Sequence, residues 1–562
     1  MPSHSSVTER LARLAPDQRA AATAPPGPVL CVAPAGSGKT TTLVARLAWL
    51  IDSGAARADE ILAITFNRRA AEELTERVGA ALEPLGLAPG AVRIRTFHAL
   101  GLEILRDAGE RVEPLVDRLA VLRRIAPEAG AGGWRRLDTA FSRLKLDLGA
   151  TADEVATDPA PGAIARAFLA YEAELAAEGG LDFDDLVARA LRRLERDAHL
   201  LARWRARARE LLVDEAQDLD RAQLRLALLL ARPADRIFLV GDDDQSIYGW
   251  RLADVRRVLG LADALPGLRR VDLVVNYRCP ATVVERAVRL IGHNRDRFTK
   301  TIRARDEAPG PIVLAADASD EPVRMARVLG TLPDDAGTQA ILARTNRELL
   351  PAIASALEAG VPFRPPPIEL LVTSPLVEAC LSAAEAVEPA LPMLARIEAV
   401  RARWAAPEDG VADVDRPPPG DLSDPGATSP AEIAAAVLAW AGRYRSLDEL
   451  REAVEARRGD LARLCHPDAK LTFATAHATK GLEFDHVAVI GLDEGRFPSA
   501  RSLADAPEPD RALEEERRLA YVAWTRARRS LVLVYDPAHP SLFLLEAFGR
   551  DELGLRDDDA AA

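Results

Sequence analysis

The sequence is poor in cysteine and contains no long apolar run, and both shortages exclude classes of protein. Its four cysteines, Cys31, Cys279, Cys380 and Cys465, are too widely spaced for a disulfide framework or a paired-cysteine zinc or iron–sulfur site. No apolar stretch approaches the ~20 residues of a membrane-spanning helix, and the first residues, MPSHSSVTERLARL, lack the apolar core of a secretory signal. We therefore expect a cytoplasmic protein that contacts no membrane.

Lysine is also scarce, so arginine supplies nearly all of the positive charge, and acidic residues outnumber basic ones. The formal net charge of −13 does not exclude a nucleic-acid partner, because a binding groove can be basic while the rest of the surface is acidic. The 562 residues, of which 48% are hydrophobic, suffice for about three or four domains with buried cores.

A phosphate-binding loop is predicted at residues 29–42, where the apolar run VLCV precedes APAGSGKTTT. A strand, a Gly-rich turn and a helix in this order aim backbone amides and the positive helix end at phosphates, and Gly36 and Gly38 permit close approach. Lys39 is expected to reach the β- and γ-phosphates, and Thr40 to hold Mg²⁺. The alternative, a turn that merely reads GKT, does not explain the order of elements. The residues expected to line the nucleotide here are Ala33, Pro34, Ala35, Gly36, Ser37, Gly38, Lys39, Thr40 and Thr41.

Two adjacent carboxylates, Asp214 and Glu215, follow a second apolar run, LLV. A parallel strand would deliver both to the carboxyl edge of its sheet, beside the phosphates. Asp214 is then a Mg²⁺ ligand, directly or through water, and Glu215 is the candidate base that orients the attacking water. Taken alone, DEAQD is equally typical of an acidic helix start. With the phosphate loop upstream, the pair favours hydrolysis of ATP.

The segment GDDDQSIYGWR, residues 241–251, places Gln245 three residues before an aromatic tip. Tyr248 and Trp250 are two residues apart, so in an extended segment both rings project to the same side, where they can stack on unpaired bases. We therefore expect one short loop to contact both a terminal phosphate and a single strand.

The order of these and other segments resembles the UvrD/Rep/PcrA group of superfamily 1A DNA helicases over nearly the whole chain. The motifs that carry the resemblance are LAPDQ (14–18), APAGSGKTT, ITFNRRAAEEL (64–74), RTFHALG (95–101), GLDFDDL (180–186), LLVDEAQD, VGDDDQSIYGWR, NYRCP (276–280), ILARTNRELL (341–350), ATAHATKGLEFDHVAVIGLDEGRFPS (474–499) and EEERRLAYVAWTRA (514–527). Any one of these motifs could arise by chance, whereas the whole set in this order is specific for the family.

The resemblance implies an α/β fold with two RecA-like, doubly wound parallel-sheet motor domains, each carrying a mainly helical insertion. In GLDFDDL, Asp182 followed by Asp185 is also typical of a helix cap. The expected parts are a first RecA-like domain at 1–106 and 186–277, its insertion at 107–185, a second RecA-like domain at 278–372 and 466–545, a reduced helical insertion with a Pro-rich linker at 373–465, and a disordered acidic tail at 546–562.

The resemblance also assigns roles around ATP. It implies that Gln18 reads the adenine edge, Tyr277 stacks on the base and Glu483 approaches the ribose. Gln245 would sense the γ-phosphate. Arg278 and Arg526, from the second motor domain, would neutralise charge on the transferred phosphoryl group. Taken in isolation, each residue is better explained as a surface arginine or a core tyrosine, and only the whole set favours a site.

By resemblance, a second set of residues holds single-stranded DNA through hydroxyls, cations and stacking rings. The set is Thr65, Phe66, Arg68, Thr96, Phe97, His98, Tyr248, Trp250, Arg251, His477 and Lys480. For Phe66 and Phe97, core packing is an equal alternative, because both follow threonines near strand ends. The chain departs from the common family pattern at Gly249, Leu252 and Trp524.

The resemblance implies an ATP- and Mg²⁺-dependent 3′-5′ DNA helicase or translocase in DNA repair or recombination. Its partners would be single-stranded DNA, single-strand/duplex junctions, and repair or recombination proteins. Two alternatives stay open. The first is a translocase or protein-displacing motor that unwinds little alone, which the reduced insertion favours. The second is a non-motor P-loop module, which leaves Tyr277, Arg278 and Arg526 without a role.

Overall fold

The computed structural model describes residues 6–158, 161–305, 308, 310–366, 370–405 and 430–555. The chain forms two compact units. Unit 1 comprises Met1–Tyr277 and Arg295–Arg303, and unit 2 comprises Arg278–Asn294 and Ala304–Ala562. Most of the Pro-rich linker predicted between residues 405 and 430 lies outside the described residues. In the described part, no helix combines the length and apolar character needed to cross a membrane.

Unit 1 is built on a parallel sheet with strands β1 (Val29–Val32), β2 (Ile61–Thr65), β3 (Arg93–Thr96), β4 (Glu210–Val213), β5 (Ile237–Gly241) and β6 (Arg269–Asp272). The strand order is β3-β2-β4-β5-β1-β6. Alternate residues of β1 face opposite sides, so Leu30 and Val32 enter one hydrophobic core while Val29 and Cys31 enter another. Burial on both faces explains why these strands are almost wholly apolar.

Helices cover this sheet and form the insertion. They are α1 (Val7–Arg13), α2 (Pro16–Ala22), α3 (Lys39–Asp52), α4 (Arg68–Leu82), α5 (Phe97–Asp107), α6 (Arg118–Ile125), α7 (Gly130–Ser142), α8 (Ala152–Ala156), α9 (Ala163–Glu178), α10 (Phe183–Arg196), α11 (Ala198–Arg207), α12 (Arg221–Ala231), α13 (Val255–Leu259) and α14 (Leu261–Ala264). The predicted insertion is helical and has its own small core, in which Phe141, Phe168 and Tyr171 pack together. The Asp182 side chain accepts from the Asp185 amide at 2.9 Å, which confirms the predicted cap of α10.

Two short strands, β7 (Val275–Asn276) and β8 (Arg303–Ala304), pair with each other near the positions where the chain passes from unit 1 to unit 2. Unit 2 contains a second parallel sheet. The sheet strands are β9 (Ile312–Ala316), β10 (Gln339–Ala343), β11 (Leu471–Thr475), β12 (Phe484–Val489) and β13 (Ala527–Tyr535). Their order is β11-β10-β12-β13-β9, with every adjacent pair parallel. The two parallel sheets confirm the expected pair of RecA-like domains.

The helices of unit 2 are α15 (Ala281–Ile291), α16 (Glu321–Thr331), α17 (Asn346–Ala359), α18 (Pro375–Glu385), α19 (Met393–Ala405), α20 (Pro430–Ala441), α21 (Leu447–Leu464), α22 (Ala500–Ala504), α23 (Pro509–Trp524) and α24 (Leu542–Ala547). Helices α18 to α21 belong to the predicted reduced insertion. Ile397 of α19 and Val437 of α20 share one hydrophobic cluster with Ile341 and Phe473 of the sheet. The described part of the insertion is therefore packed onto the core of unit 2.

The predicted start of the disordered tail, residue 546, is too early in the sequence, because ordered structure continues beyond it. Helix α24 ends at Ala547, and a 3₁₀ turn spans Asp551–Leu553. The Glu552 carboxylate accepts a hydrogen bond from Arg286 at 2.6 Å, so a charge that reads as part of an acidic tail is used in an ion pair. The remaining residues, 556–562, lie outside the described part.

Candidate nucleotide site and strand-binding surface

The carboxyl edge of the unit 1 sheet collects the predicted site residues, because all its strands run in the same direction. The phosphate loop follows β1, and its first residue, Ala33, donates a backbone hydrogen bond to Gly241 at the end of β5 at 2.8 Å. Asp214 follows β4 and donates its backbone N–H to Ile64 of β2 at 2.8 Å. Segments far apart in sequence are thus fixed side by side.

The phosphate loop has the conformation that its glycines permit. Gly36 and Gly38 have φ values of 67° and 85°, in the left-handed region that favours glycine. A Cβ on Gly38 would lie 2.6 Å from Nε2 of Gln18, which donates to the Ser37 carbonyl at 2.8 Å. The buried Ser37 hydroxyl has no hydrogen-bond partner among the described residues. An unpartnered buried hydroxyl in a Gly-rich loop at a helix N-terminus fits a phosphate oxygen.

Lys39 and Glu215 form an ion pair at the head of this loop. The Lys39 ammonium lies 2.9 Å from Oε2 and 3.1 Å from Oε1 of Glu215. Burial alone would lower the pKa of Lys39, but Glu215, Asp214 and Asp242 raise it above its ordinary value. Lys39 is therefore a permanent cation at neutral pH. Glu215 has φ = 52°, an unusual backbone conformation for a residue with a side chain.

Gln217 connects this ion pair to the next strand, a role that the sequence did not indicate. Its Nε2 donates to Oε2 of Glu215 at 2.6 Å, and its Oε1 accepts from the Asp242 amide at 3.0 Å. A Cβ on Gly241 would lie 2.4 Å from this oxygen, so glycine permits the contact. Asp242 in turn accepts from Nε2 of Gln245 at 2.6 Å. A continuous set of polar contacts therefore runs from Lys39 to Gln245.

The aromatic tip after Gln245 is a turn, so the prediction of an extended segment is wrong. Gly249–Arg251 form a 3₁₀ turn that ends at Leu252 with φ = 66°. The rings of Tyr248 and Trp250 lie 6.2 Å apart, edge to face, and Trp250 is 54% exposed. The Arg251 guanidinium lies 4.5 Å from the Trp250 ring centre. The tip still presents an exposed ring beside a cation.

Phe66 and Phe97, for which core packing was the alternative to binding DNA, lie in different environments. Phe97 is 3% exposed and belongs to the hydrophobic core of unit 1. Phe66 is half-buried and stacks on Tyr248, with ring centres 4.9 Å apart and planes 9° apart. The structure therefore gives Phe97 a packing role and joins Phe66 to the aromatic tip.

Polar members of the predicted strand-binding set lie at the starts of α4 and α5. The Thr96 hydroxyl accepts from the Ala99 amide at 3.2 Å and so caps α5, while the Thr65 hydroxyl donates to the Asn67 carbonyl at 3.2 Å. The Arg68 side chain is 91% exposed and pairs with Glu72. The three predicted contacts thus lie close to helix N-termini at one edge of the sheet.

His98 stacks on Phe183, which is 59% exposed, with ring centres 3.9 Å apart. Burial lowers the pKa of His98 to about 4, with Arg251 acting in the same direction and Asp184 opposing it. The imidazole is therefore neutral at pH 7, so it can stack or donate one hydrogen bond but supplies no charge for phosphate.

Unit 2 carries three further nucleotide-site candidates, Arg278, Glu483 and Arg526, near the start of β12 and β13. Arg278 donates to Glu483 at 2.8 Å and to the Thr525 carbonyl at 3.3 Å. Arg528 donates to the other oxygen of Glu483 at 3.3 Å. The Arg526 side chain is buried and donates to the carbonyls of Val522 and Leu482. Two arginines thus share one carboxylate, which holds Arg278 in place.

The remaining candidates are an exposed ring and two basic residues. Tyr277 is 40% exposed, and its backbone N–H donates to Gly36 of the phosphate loop at 2.8 Å. His477 and Lys480 follow β11 and are half-buried. Burial lowers the pKa of His477 to about 3, with Arg344 and Lys480 adding to the shift. Like His98, this histidine is neutral at pH 7.

Comparison with known proteins agrees with this arrangement. The UvrD/REP helicase N-terminal domain matches residues 14–266, and the UvrD-like helicase C-terminal domain matches residues 443–537. ATP-dependent DNA helicase UvrD2 of Mycobacterium tuberculosis (strain ATCC 25618 / H37Rv) is 33% identical over 93% of this chain and 78% of its own length. DNA helicase II of Escherichia coli (strain K12) is 28% identical over 92% and 84%, and ATP-dependent DNA helicase PcrA of Leuconostoc citreum is 28% identical over 90% and 80%. The chain belongs to the family of UvrD-like helicases.

Proposed function

We propose that the protein is an ATP-dependent DNA helicase that couples hydrolysis to 3′-5′ movement on single-stranded DNA and to duplex unwinding. The observation that supports it most directly is the set of polar contacts from Lys39 through Glu215, Gln217 and Asp242 to Gln245. Gln245 lies three residues before Tyr248, so a change at the phosphates is passed to the aromatic tip within one short segment. The polarity and a role in DNA repair or recombination follow from the family resemblance.

In this proposal Lys39 leaves Glu215 to bind the β- and γ-phosphates of ATP. Glu215 is then released to orient the attacking water and to accept its proton. Thr40 and Asp214 would hold Mg²⁺, which neutralises charge on the phosphate oxygens. The Ser37 hydroxyl gains the acceptor that it lacks among the described residues. The ion pair thus keeps the base occupied until nucleotide binds.

The proposed base contacts are Gln18 and Tyr277, and the proposed ribose contact is Glu483. Arg278 and Arg526 are proposed to stabilise the charge on the transferred phosphoryl group, because arginine keeps its charge and offers a planar fork to phosphate oxygens. Their present hydrogen bonds, to Glu483 and to backbone carbonyls, hold the guanidinium groups in defined positions. These roles rest on motif position.

Single-stranded DNA is proposed to run along the edge that carries Trp250, Arg251 and Phe66. Exposed rings stack bases without reading sequence, and cations bind the backbone. His98 and His477, being neutral, would contribute stacking or hydrogen bonds. Phe97 supports this edge from the core.

ATP hydrolysis measured with and without single-stranded DNA, beside unwinding of duplexes with a tail of either polarity, tests the proposal. We expect hydrolysis to rise with single strands and only duplexes with a 3′ tail to be unwound. Hydrolysis that ignores a bound oligonucleotide would contradict the motor function and favour a non-motor P-loop module. Stimulated hydrolysis without unwinding would favour a translocase, which the packing of helices α18 to α21 onto the core of unit 2 makes the second candidate.

A further inference from the structure

Lys300 lies at the centre of a fully buried charge cluster that the motif roles do not use. Its ammonium is 2.9 Å from Oδ1 of Asp242 and 2.9 Å from Oδ2 of Asp244, and it also contacts Oδ1 of Asp243. The side chains of all four residues are 0% exposed. Burial would lower the pKa of Lys300, but the three carboxylates raise it far above its ordinary value.

Lys300 belongs to a short strap, residues 295–303, with which the chain returns to unit 1 after Tyr277. Both ends of the strap continue into unit 2, at Asn294 and at Ala304. Arg297 attaches the strap to Asp244 through two hydrogen bonds of 2.9 and 2.7 Å. The backbone N–H of Phe298 donates to Asp243 at 2.8 Å. The strap therefore binds all three aspartates that precede Gln245.

The contact between Lys300 and Asp242 is the one that reaches Gln245. Asp242 accepts Lys300 at Oδ1 and Nε2 of Gln245 at Oδ2. Because both oxygens are occupied, the position of Lys300 fixes the carboxylate, and the carboxylate fixes the Gln245 side chain. Arg297 differs in this respect, since the carboxylate that it holds is that of Asp244, and Asp244 reaches Asp242 through its backbone N–H, at 3.2 Å, rather than through this carboxylate.

We propose that Lys300 is a positioning residue for ATP hydrolysis, which sets Gln245 through Asp242 and ties its placement to the strap that continues into unit 2. This inference rests on the proposed role of Gln245 at the γ-phosphate. If the cations of the strap only stabilised the fold, Lys300 and Arg297 would be equivalent. If one of them places Gln245, that cation is Lys300, because Lys300 contacts the Asp242 carboxylate that holds the Gln245 side chain.

Lys300→Met and Arg297→Met form a matched pair, since each removes one positive charge from the strap. We expect Lys300→Met to lower the kcat of DNA-stimulated hydrolysis by about tenfold or more while the KM for ATP changes by less than about threefold, because the lost interaction acts in the transition state. We expect both variants to lose a similar amount of thermal stability. In Arg297→Met, however, kcat should stay within about threefold of wild type. Equal losses of kcat in both variants, or a higher KM at unchanged kcat for Lys300→Met, overturn the inference.

Hydrogen exchange on the unmodified protein decides the question if Lys300→Met does not fold. Adding a non-hydrolysable ATP analogue should slow exchange in residues 242–248 and in residues 295–303 together, with the Phe298 amide as the direct reporter of the Asp243 contact. Protection of 242–248 with unchanged exchange in 295–303 overturns the inference. A wild-type protein whose hydrolysis ignores DNA would contradict the proposed function instead, so the two failures are distinguishable.

Discussion

The ammonium of Lys39 lies 2.9 Å from a carboxylate oxygen of Glu215, so the predicted phosphate ligand and the predicted base hold each other. The pair joins the start of α3 to the segment after β4, which are 176 residues apart in sequence. A phosphate must attract Lys39 more strongly than Glu215 does before the base is available. Activation of water by Glu215 in the absence of a bound phosphate is thereby disfavoured.

Replacing Lys39 with alanine should lower the rate of ATP turnover by at least about a hundredfold, because the positive charge that stabilises the transferred phosphoryl group is lost. Binding of single-stranded DNA without nucleotide should stay at the wild-type level, as measured by fluorescence anisotropy. Lys470→Ala, at an exposed lysine of unit 2, is the matched control and should hydrolyse ATP normally. Normal turnover by Lys39→Ala would contradict the assignment of the phosphate loop.

Glu215→Gln should still bind nucleotide, but its kcat should be about 10²- to 10⁴-fold lower, since an amide cannot accept the proton of the attacking water. Binding of a fluorescent ATP analogue and single-turnover hydrolysis separate the two effects. Glu178→Gln, which removes a carboxylate paired with Arg124 in the insertion, serves as control. A variant that hydrolyses ATP at the wild-type rate would show that Glu215 is not the base.

Arg278 and Arg528 can be compared directly, because both donate to Glu483. Arg278→Ala should lower kcat by about a thousandfold if this arginine neutralises transition-state charge, whereas Arg528→Ala should leave it nearly unchanged. Steady-state hydrolysis with saturating DNA measures both. Similar values for the two variants would mean that these arginines act only by holding Glu483.

Trp250→Ala should weaken binding of single-stranded DNA by about 1–3 kcal/mol, the contribution of one base stacked on an aromatic ring. Because the ring is 54% exposed, the melting temperature should change little. Titration with an oligonucleotide and the half-maximal DNA concentration for stimulated hydrolysis both report the loss. The control Leu542→Ala removes another exposed apolar side chain, and an effect of equal size there would remove Trp250 from the strand-binding set.

Acid should destabilise the protein partly through His98. Its pKa falls from 6.5 to about 4 on folding, chiefly through burial, so between these values the unfolded chain binds more protons than the folded one. The stability contributed by His98 is present above pH 6.5 and is lost as the pH falls toward 4. His98→Gln should flatten the dependence of stability on pH in this interval by at most one proton, about 1.4 kcal/mol per pH unit.

Denaturant melts of both proteins between pH 7 and pH 4.5 measure this difference. His199→Gln, at an exposed histidine of α11, controls for the loss of a histidine as such. Parallel curves for wild type and His98→Gln would show that His98 is not buried in neutral form.

The sequence predicted the local elements well, because their signals are local. Apolar runs such as LLV before Asp214 predicted strands, and Asp182 with Asp185 predicted a cap that the structure confirms. The extended form of the segment at Tyr248 was wrong, since a tight turn whose positive-φ residue is Leu252 rather than glycine carries no obvious local signal. The proposed roles of individual site residues stay predictions.

What the sequence determined by itself is the inventory: a phosphate loop, two carboxylates after a buried strand, an aromatic tip, and the order of the family motifs. The first three follow from apolar runs and residue types within a few residues of each other, whereas the fourth rests on resemblance to the family. Only the tertiary structure decided that Gln217 bridges Glu215 to Asp242, and that Lys300 contacts three aspartates 56 to 58 residues before it. Such contacts depend on strand order, since a parallel sheet brings together the ends of strands that are distant in the chain, and no local pattern records which strand lies beside which.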